Sequence, residues 1–157
     1  MTTTQWLLGL HLVAAFLFVS GAVAVGALAT AATRRERPSE VASLLGLTRT
    51  AVILVAVGSL LALVLGIALV LHQGRSFGTG WISAALALWV VSVALGSIGG
   101  RSARHVRYVA ERLASEGDRP SDELRRSLTS ARAQALNYGS FVAALAILAL
   151  MVWQPGG

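Results

Sequence analysis

Four runs free of charged residues, at 6–32, 51–71, 81–98 and 136–153, alternate with segments that hold all 13 basic side chains. At about 1.5 Å per helical residue these runs cross a hydrocarbon core of about 30 Å, the two shortest with help from their polar flanks. The chain is therefore expected to be an all-α membrane protein, an antiparallel bundle of four transmembrane helices. The basic residues are unevenly shared. Residues 33–50 carry Arg34, Arg35, Arg37 and Arg49, residues 72–80 carry only Arg75, residues 100–135 carry the other eight, and neither tail carries any. Basic side chains resist translocation, so the first and third connections are expected in the cytoplasm and both termini outside.

Composition agrees with this reading. A chain of 157 residues that is 55% hydrophobic and 13% charged is too apolar for a soluble domain of its size. One bundle covering residues 1–157 is the natural domain count. The formal charge of +6 lines the membrane surface, so anionic inner-leaflet headgroups, and not nucleic acid, are the expected partners of the cytoplasmic arginines. The absence of cysteine removes disulfides, thiolate metal sites and thiol catalysis. Every basic residue is Arg, and without lysine there is no Schiff-base chemistry.

Local signals place the boundaries. Ala29-Thr30-Ala31 resembles a signal-peptidase site, but no positive charge precedes the first run, the run is about twice a normal signal core, and Arg34-Arg35-Glu36-Arg37 follows it like a stop signal. An uncleaved first helix is expected. Trp6, Trp81 and Trp153 fall at the ends sharing the outer face, and Tyr138 marks the inner end of the fourth helix. Pro38, Pro120 and Pro155 lie outside the spans, so no span should be kinked by proline. Small residues recur at four-residue spacing in Ala22-Gly26-Thr30, Gly58-Ala62-Gly66, Ser92-Gly96-Gly100 and Ser140-Ala144. Such stripes let helices approach closely in lipid, and bundle packing is their expected use.

The long inner connection, about 101–135, reads as a cytoplasmic helical hairpin. Val106, Val109, Ala110 and Leu113 recur at helical spacing, Gly117 and Pro120 interrupt, and Ser121 can cap a new helix opening with Asp122 and Glu123. Leu124, Leu128, Ala131 and Ala135 carry that pattern directly into the fourth span. Ser39 can cap a turn running through Glu40, Val41 and Leu44 into the second span.

His11 is the one ionisable side chain well inside a span, about 7.5 Å below Trp6 along an upright helix. Ionisable groups in lipid are costly and face the protein interior, which makes His11 the default candidate site. His72 ends the second span on the same outer side, and Met151 lies in the outer half of the fourth. His11 with His72 could ligate haem b iron; His11, His72 and Met151 could hold copper. The structural alternative is that His11 hydrogen-bonds a neighbouring helix and His72 is an interfacial polar residue. His105 lies amid arginines on a solvated face.

Other chemistry lacks its residues. No Asp or Glu lies within a span, which removes proton-relay carboxylates and the di-iron pattern of helical bundles. Neither midplane helix breaks nor internal repeats of transporters are visible. Ser20, Ser59, Ser83, Ser92, Ser97 and Ser140 fit helix packing better than a pore, and Trp89 fits packing better than a cofactor stack. Catalysis is not expected.

Leu10-His11 with Ser20-Gly21, Gly80-Trp81-Ile82 at the third span, and the closing Met151-Val152-Trp153-Gln154-Pro155-Gly156 resemble the predicted integral membrane proteins grouped as domain of unknown function 2269. Gln154 stands where that family suggests Lys. The resemblance implies four spans and points to no particular activity. Through His11 alone the chain is also similar to copper-resistance-D-type membrane proteins and haem-pathway membrane oxidases, which implies outer-face copper or haem. The expected role is a small, non-enzymatic accessory or scaffold subunit of the bacterial plasma (inner) membrane, with a homo-oligomer or another membrane protein as partner. The rival is a haem- or copper-binding membrane protein. A carrier of lipid or another hydrophobic ligand would need a lateral opening.

Overall fold

Each apolar run is helical, and the helices overrun the runs. The computed structural model describes residues 2–154 and contains α1 (Thr3–Thr33), α2 (Pro38–His72), α3 (Gly80–Ser115), α4 (Asp122–Leu128) and α5 (Ala131–Trp153). Four helices are long and apolar enough to span a membrane, with peak mean hydropathy between 2.0 and 2.9. Among the described residues there is no strand.

The packing is that of a lipid-solvated bundle. Phe16, Leu12, Leu60, Val64, Val90 and Val142 are exposed, whereas Ala14, Gly21, Gly58, Ser59, Ser92, Ala143 and Ala144 are buried. Large apolar side chains outside and small residues inside suit a solvent as apolar as leucine, where helices associate by close approach. The helices form two pairs, α1 with α2 and α3 with α5, joined through α2 and α3. A Cβ added at Gly58 would lie 2.5 Å from the Phe18 nitrogen, and one added at Gly21 would lie 2.9 Å from the Val55 nitrogen. At the second pair the Ser92 and Ser140 hydroxyls each donate to the other's carbonyl, at 3.4 and 3.3 Å. Trp89 bridges the pairs by donating to the Ser59 hydroxyl at 2.9 Å. Three of the four small-residue stripes thus lie at helix contacts. The fourth, Ala22-Gly26-Thr30, does not, because α1 scarcely meets α5 and nothing lies within 4 Å of a Cβ at Gly26.

A second core sits at the arginine-rich end. Ala32 of α1, Val41 and Leu45 of α2, Val106, Val109 and Ala110 of α3, and Leu124 of α4 form one buried cluster, with Leu113 and Leu128 packed against it. The expected hairpin therefore docks on the ends of α1 and α2. Ser121 caps α4 by accepting from the Glu123 N–H at 3.3 Å, with Asp122 and Glu123 in the first turn. The Arg112 guanidinium reaches both Glu123 carboxylate oxygens at 2.8 Å.

Two details depart from expectation. The hairpin's second helix does not run unbroken into the last span, because α4 stops at Leu128 and Ser130 leaves helical geometry at φ −55°, ψ 115°. The Ser127 and Thr129 hydroxyls donate to the Glu123 and Arg125 carbonyls, a local bonding habit that bends or ends helices. Ser39 does not cap its own helix either. Arg37 is the N-cap and Pro38 takes the first helical position, where its missing N–H costs nothing. The Asp118 carboxylate instead accepts from the Ser39 N–H at 2.8 Å and the Ser39 hydroxyl at 2.7 Å. Asp118 sits at φ 54° after Gly117 at φ 125°, a left-handed turn that aims the carboxylate at α2's positive end. The Ser39 hydroxyl and N–H, then the Arg37 charge, hold its carboxyl below the usual carboxylate range. The contact is complete at neutral pH and fades as acid protonates the group.

Candidate functional site

Both candidate regions follow from how α1 is placed. Toward its start, His11 turns inward to α2. Toward its end, a face of small residues stands apart from α5 without packing against it.

His11 is buried, only 6% exposed. Its ring lies over Gly66 of α2, where an added Cβ would be 3.2 Å from His11 Cε1 and 3.6 Å from Nδ1. Glycine is what admits an imidazole between these two helices. The Ala62 backbone, one turn earlier on α2, offers the ring a hydrogen bond across the helix contact, although the geometry at Nδ1 falls short of a well-formed bond. A buried polar atom needs a partner, and the Ala62 backbone is the one this fold supplies.

His72 does not supply one. It ends α2 six residues beyond Gly66, about 9 Å farther along the axis and about 240° around it, and is exposed. Two imidazoles sharing a haem must stand on opposite faces of one plane, whereas here one is buried between α1 and α2 and the other is exposed at the end of α2. Met151 is half-buried on α5, which packs on α3, whereas His11 lies between α1 and α2. Among the described residues no three His, Cys, Asp or Glu side chains stand together as a metal set. At the same end, Arg75 is held by the Trp81 ring 5.8 Å away and by Gln154 of the α5 terminus at 3.3 Å.

The lateral opening lies on the other side of α1. A groove of about 700 Å³ runs between α1 and α5. Ala22, Gly26, Ala27 and Ala31 form its floor, Tyr138 and Phe141 of α5 its far wall, and Arg34 and Arg35 its mouth. The Thr30 hydroxyl donates to the Gly26 carbonyl at 2.8 Å, so this floor hydroxyl is satisfied within α1. From the sequence, Ala22, Gly26 and Thr30 read as packing residues, Arg34 and Arg35 as a stop signal and Tyr138 as an interfacial marker, while Ala27 and Phe141 carry no signal of their own. Their common face depends on α5 pairing with α3 and leaving α1 open, which no local pattern carries.

Residues 5–155 match the family model described as predicted integral membrane protein, DUF2269. The chain belongs to this family. The match covers all four apolar runs and the arginine-rich connections, the docked hairpin included. No match was found among the curated proteins or among the solved structures.

Proposed function

We propose that this DUF2269 protein is a non-enzymatic accessory or scaffold subunit of the bacterial plasma membrane, with its arginine-rich platform in the cytoplasm and both termini outside. The observation that carries the reading is the second core. The α3 extension and α4 are docked on the starts and ends of other helices through Val41, Leu45, Val106, Ala110 and Leu124. A connection needed only to join two spans has no reason to build a packed core. One that must present Arg101, Arg104, Arg112, Arg119, Arg125 and Arg126 at fixed positions does, and all six are exposed. Such a surface suits anionic headgroups and an acidic membrane or soluble partner. Within the spans, the hydroxyls of Ser59, Ser92 and Ser140 are taken up in helix contacts.

The chain has no cysteine, so single-cysteine variants test this directly. Thr2→Cys is expected to react with an impermeant maleimide on intact cells, and Glu116→Cys only after the cells are opened. A photocrosslinker carried on Glu116→Cys is expected to join a discrete protein in native membranes. Reversed labelling would invert the topology, and cross-links to lipid alone would remove the scaffold role.

A second reading, binding of haem b or copper through His11, draws on the burial of its imidazole and on an Nδ1 that lacks a well-formed hydrogen bond. The expected result is a visible absorption band or stoichiometric copper in the purified protein, lost in His11→Ala. A colourless, copper-free preparation from native membranes retires it.

A further inference from the structure

We infer that the groove between α1 and α5 holds one anionic phospholipid, its acyl chain along the small-residue floor and its phosphate at Arg34 and Arg35. The inference draws on the platform reading only for which leaflet supplies the lipid; binding itself is the same whichever side the arginines face.

Three properties of the groove point to this occupant. The first is length. From Ala22 to Arg34 the groove follows α1 for about 18 Å, close to the roughly 15 Å of one leaflet's hydrocarbon plus the start of its headgroup layer. The second is chemistry along that length. The α1 floor is Ala22, Val23, Gly26, Ala27 and Ala31, nothing lies within 4 Å of a Cβ at Gly26, and Thr30 is bonded to its own helix, which leaves the Tyr138 hydroxyl as the polar group of the far wall. A volume of about 700 Å³ is of the size that takes a ligand-sized apolar group. The third is charge. Both guanidiniums are exposed at the mouth. Arg35 has only a loose 3.6 Å contact with Glu40, and among the described residues Arg34 has no ion-pair partner. A phosphate at headgroup depth completes both.

The stripe of small residues could instead seat a second copy of the chain. A two-fold contact across this face would bring the Arg34 and Arg35 of both copies to one mouth, placing like charges together. A zwitterionic lipid would match the floor but would gain less from the mouth.

The experiment is native mass spectrometry of the delipidated full-length protein with phosphatidylglycerol or phosphatidylcholine at equal concentration. One phosphatidylglycerol is expected to be retained, with roughly tenfold preference or more over phosphatidylcholine, as two arginines near an anionic surface allow. Arg34→Gln together with Arg35→Gln should bring the preference close to one. Gly26→Leu should reduce retention of both lipids; its Cβ meets nothing within 4 Å, and circular dichroism of the variant checks that the fold is kept. Equal retention of the two lipids, or unchanged retention in either variant, overturns the proposal. So does displacement by inorganic phosphate at matched concentration, which would mark a plain anion site, or a doubled mass abolished by Gly26→Leu, which would mark a face between copies. Failure of the scaffold reading would appear in the cross-linking and leave these lipid results untouched.

Discussion

Replacing Gly58 with alanine is expected to destabilise the bundle more than any other single-methyl change in the spans. A Cβ there would meet the Phe18 nitrogen at 2.5 Å, the Ala14 carbonyl oxygen at 2.9 Å and the Phe18 Cα at 2.9 Å. All three are backbone atoms of α1, so no side chain can rotate away, and the two helices must move apart along their longest contact. Overpacking of this kind costs about 1–3 kcal/mol, and the backbone character of the clash puts Gly58→Ala at the upper end. Gly58→Leu should go further and release α1 from α2. Gly21→Ala is a milder case, because one of its three close neighbours is the Val55 side chain. Gly46→Ala, with nothing within 4 Å, should be neutral or gain up to about 1 kcal/mol from reduced chain freedom. Unfolding by SDS in mixed micelles, followed by circular dichroism, ranks the four variants. A Gly58→Ala protein as stable as Gly46→Ala would mean that α1 and α2 do not cross at this glycine.

What the sequence made legible, and what it hid, divides along the range of the interaction. Charge-free length is a local property, and it located all four spanning helices. Ser121 followed by Asp122 and Glu123 is equally local, and Ser121 does cap α4. Leu113 and Leu124 were readable as inward-facing, and both join the second core. Helix ends that depend on distant partners were not readable. The group that bonds Ser39 is Asp118, 79 residues away, and neither residue's neighbours announce the other. The candidate sites divide in the same way. His11 stands out because one imidazole in an apolar run is conspicuous, and its burial agrees with that. Its neighbour across the contact on α2 is Gly66, whose lack of a side chain leaves the space for the ring. The groove was invisible because Ala22-Gly26-Thr30 has the same composition as stripes that are packed. Only the pairing of α5 with α3 leaves that one open.

Leu124→Asn is expected to undock α4 and leave the spans in place. The helix has seven residues, too few to persist alone, so its order comes from what it packs against. Leu124 is 2% exposed among Ala32, Val41, Leu45, Val106, Val109 and Ala110, and Leu128 lies beside it. Removing a buried leucine costs about 2–5 kcal/mol, and an amide without a partner adds to that. The segment also has an ion pair, Arg112 with Glu123, whose geometry is good at 2.8 Å but whose side chains are 43% and 53% exposed. An exposed pair is worth about 1 kcal/mol or less. The core contact should therefore decide whether α4 stays docked. Trypsin reads the outcome, since Arg125 and Arg126 lie within α4. Where cleavage follows the population of the opened form, Leu124→Asn should speed cutting at these arginines by roughly a hundredfold, and Arg112→Gln by about fivefold at most. Membrane insertion of both variants should match the parent protein, because neither position lies in an apolar run. Similar acceleration in the two variants would mean that charge, and not the buried leucine, holds the platform together. Accelerated cutting confined to Leu124→Asn would place its rigidity in the second core, on which the proposed presentation of the arginines depends.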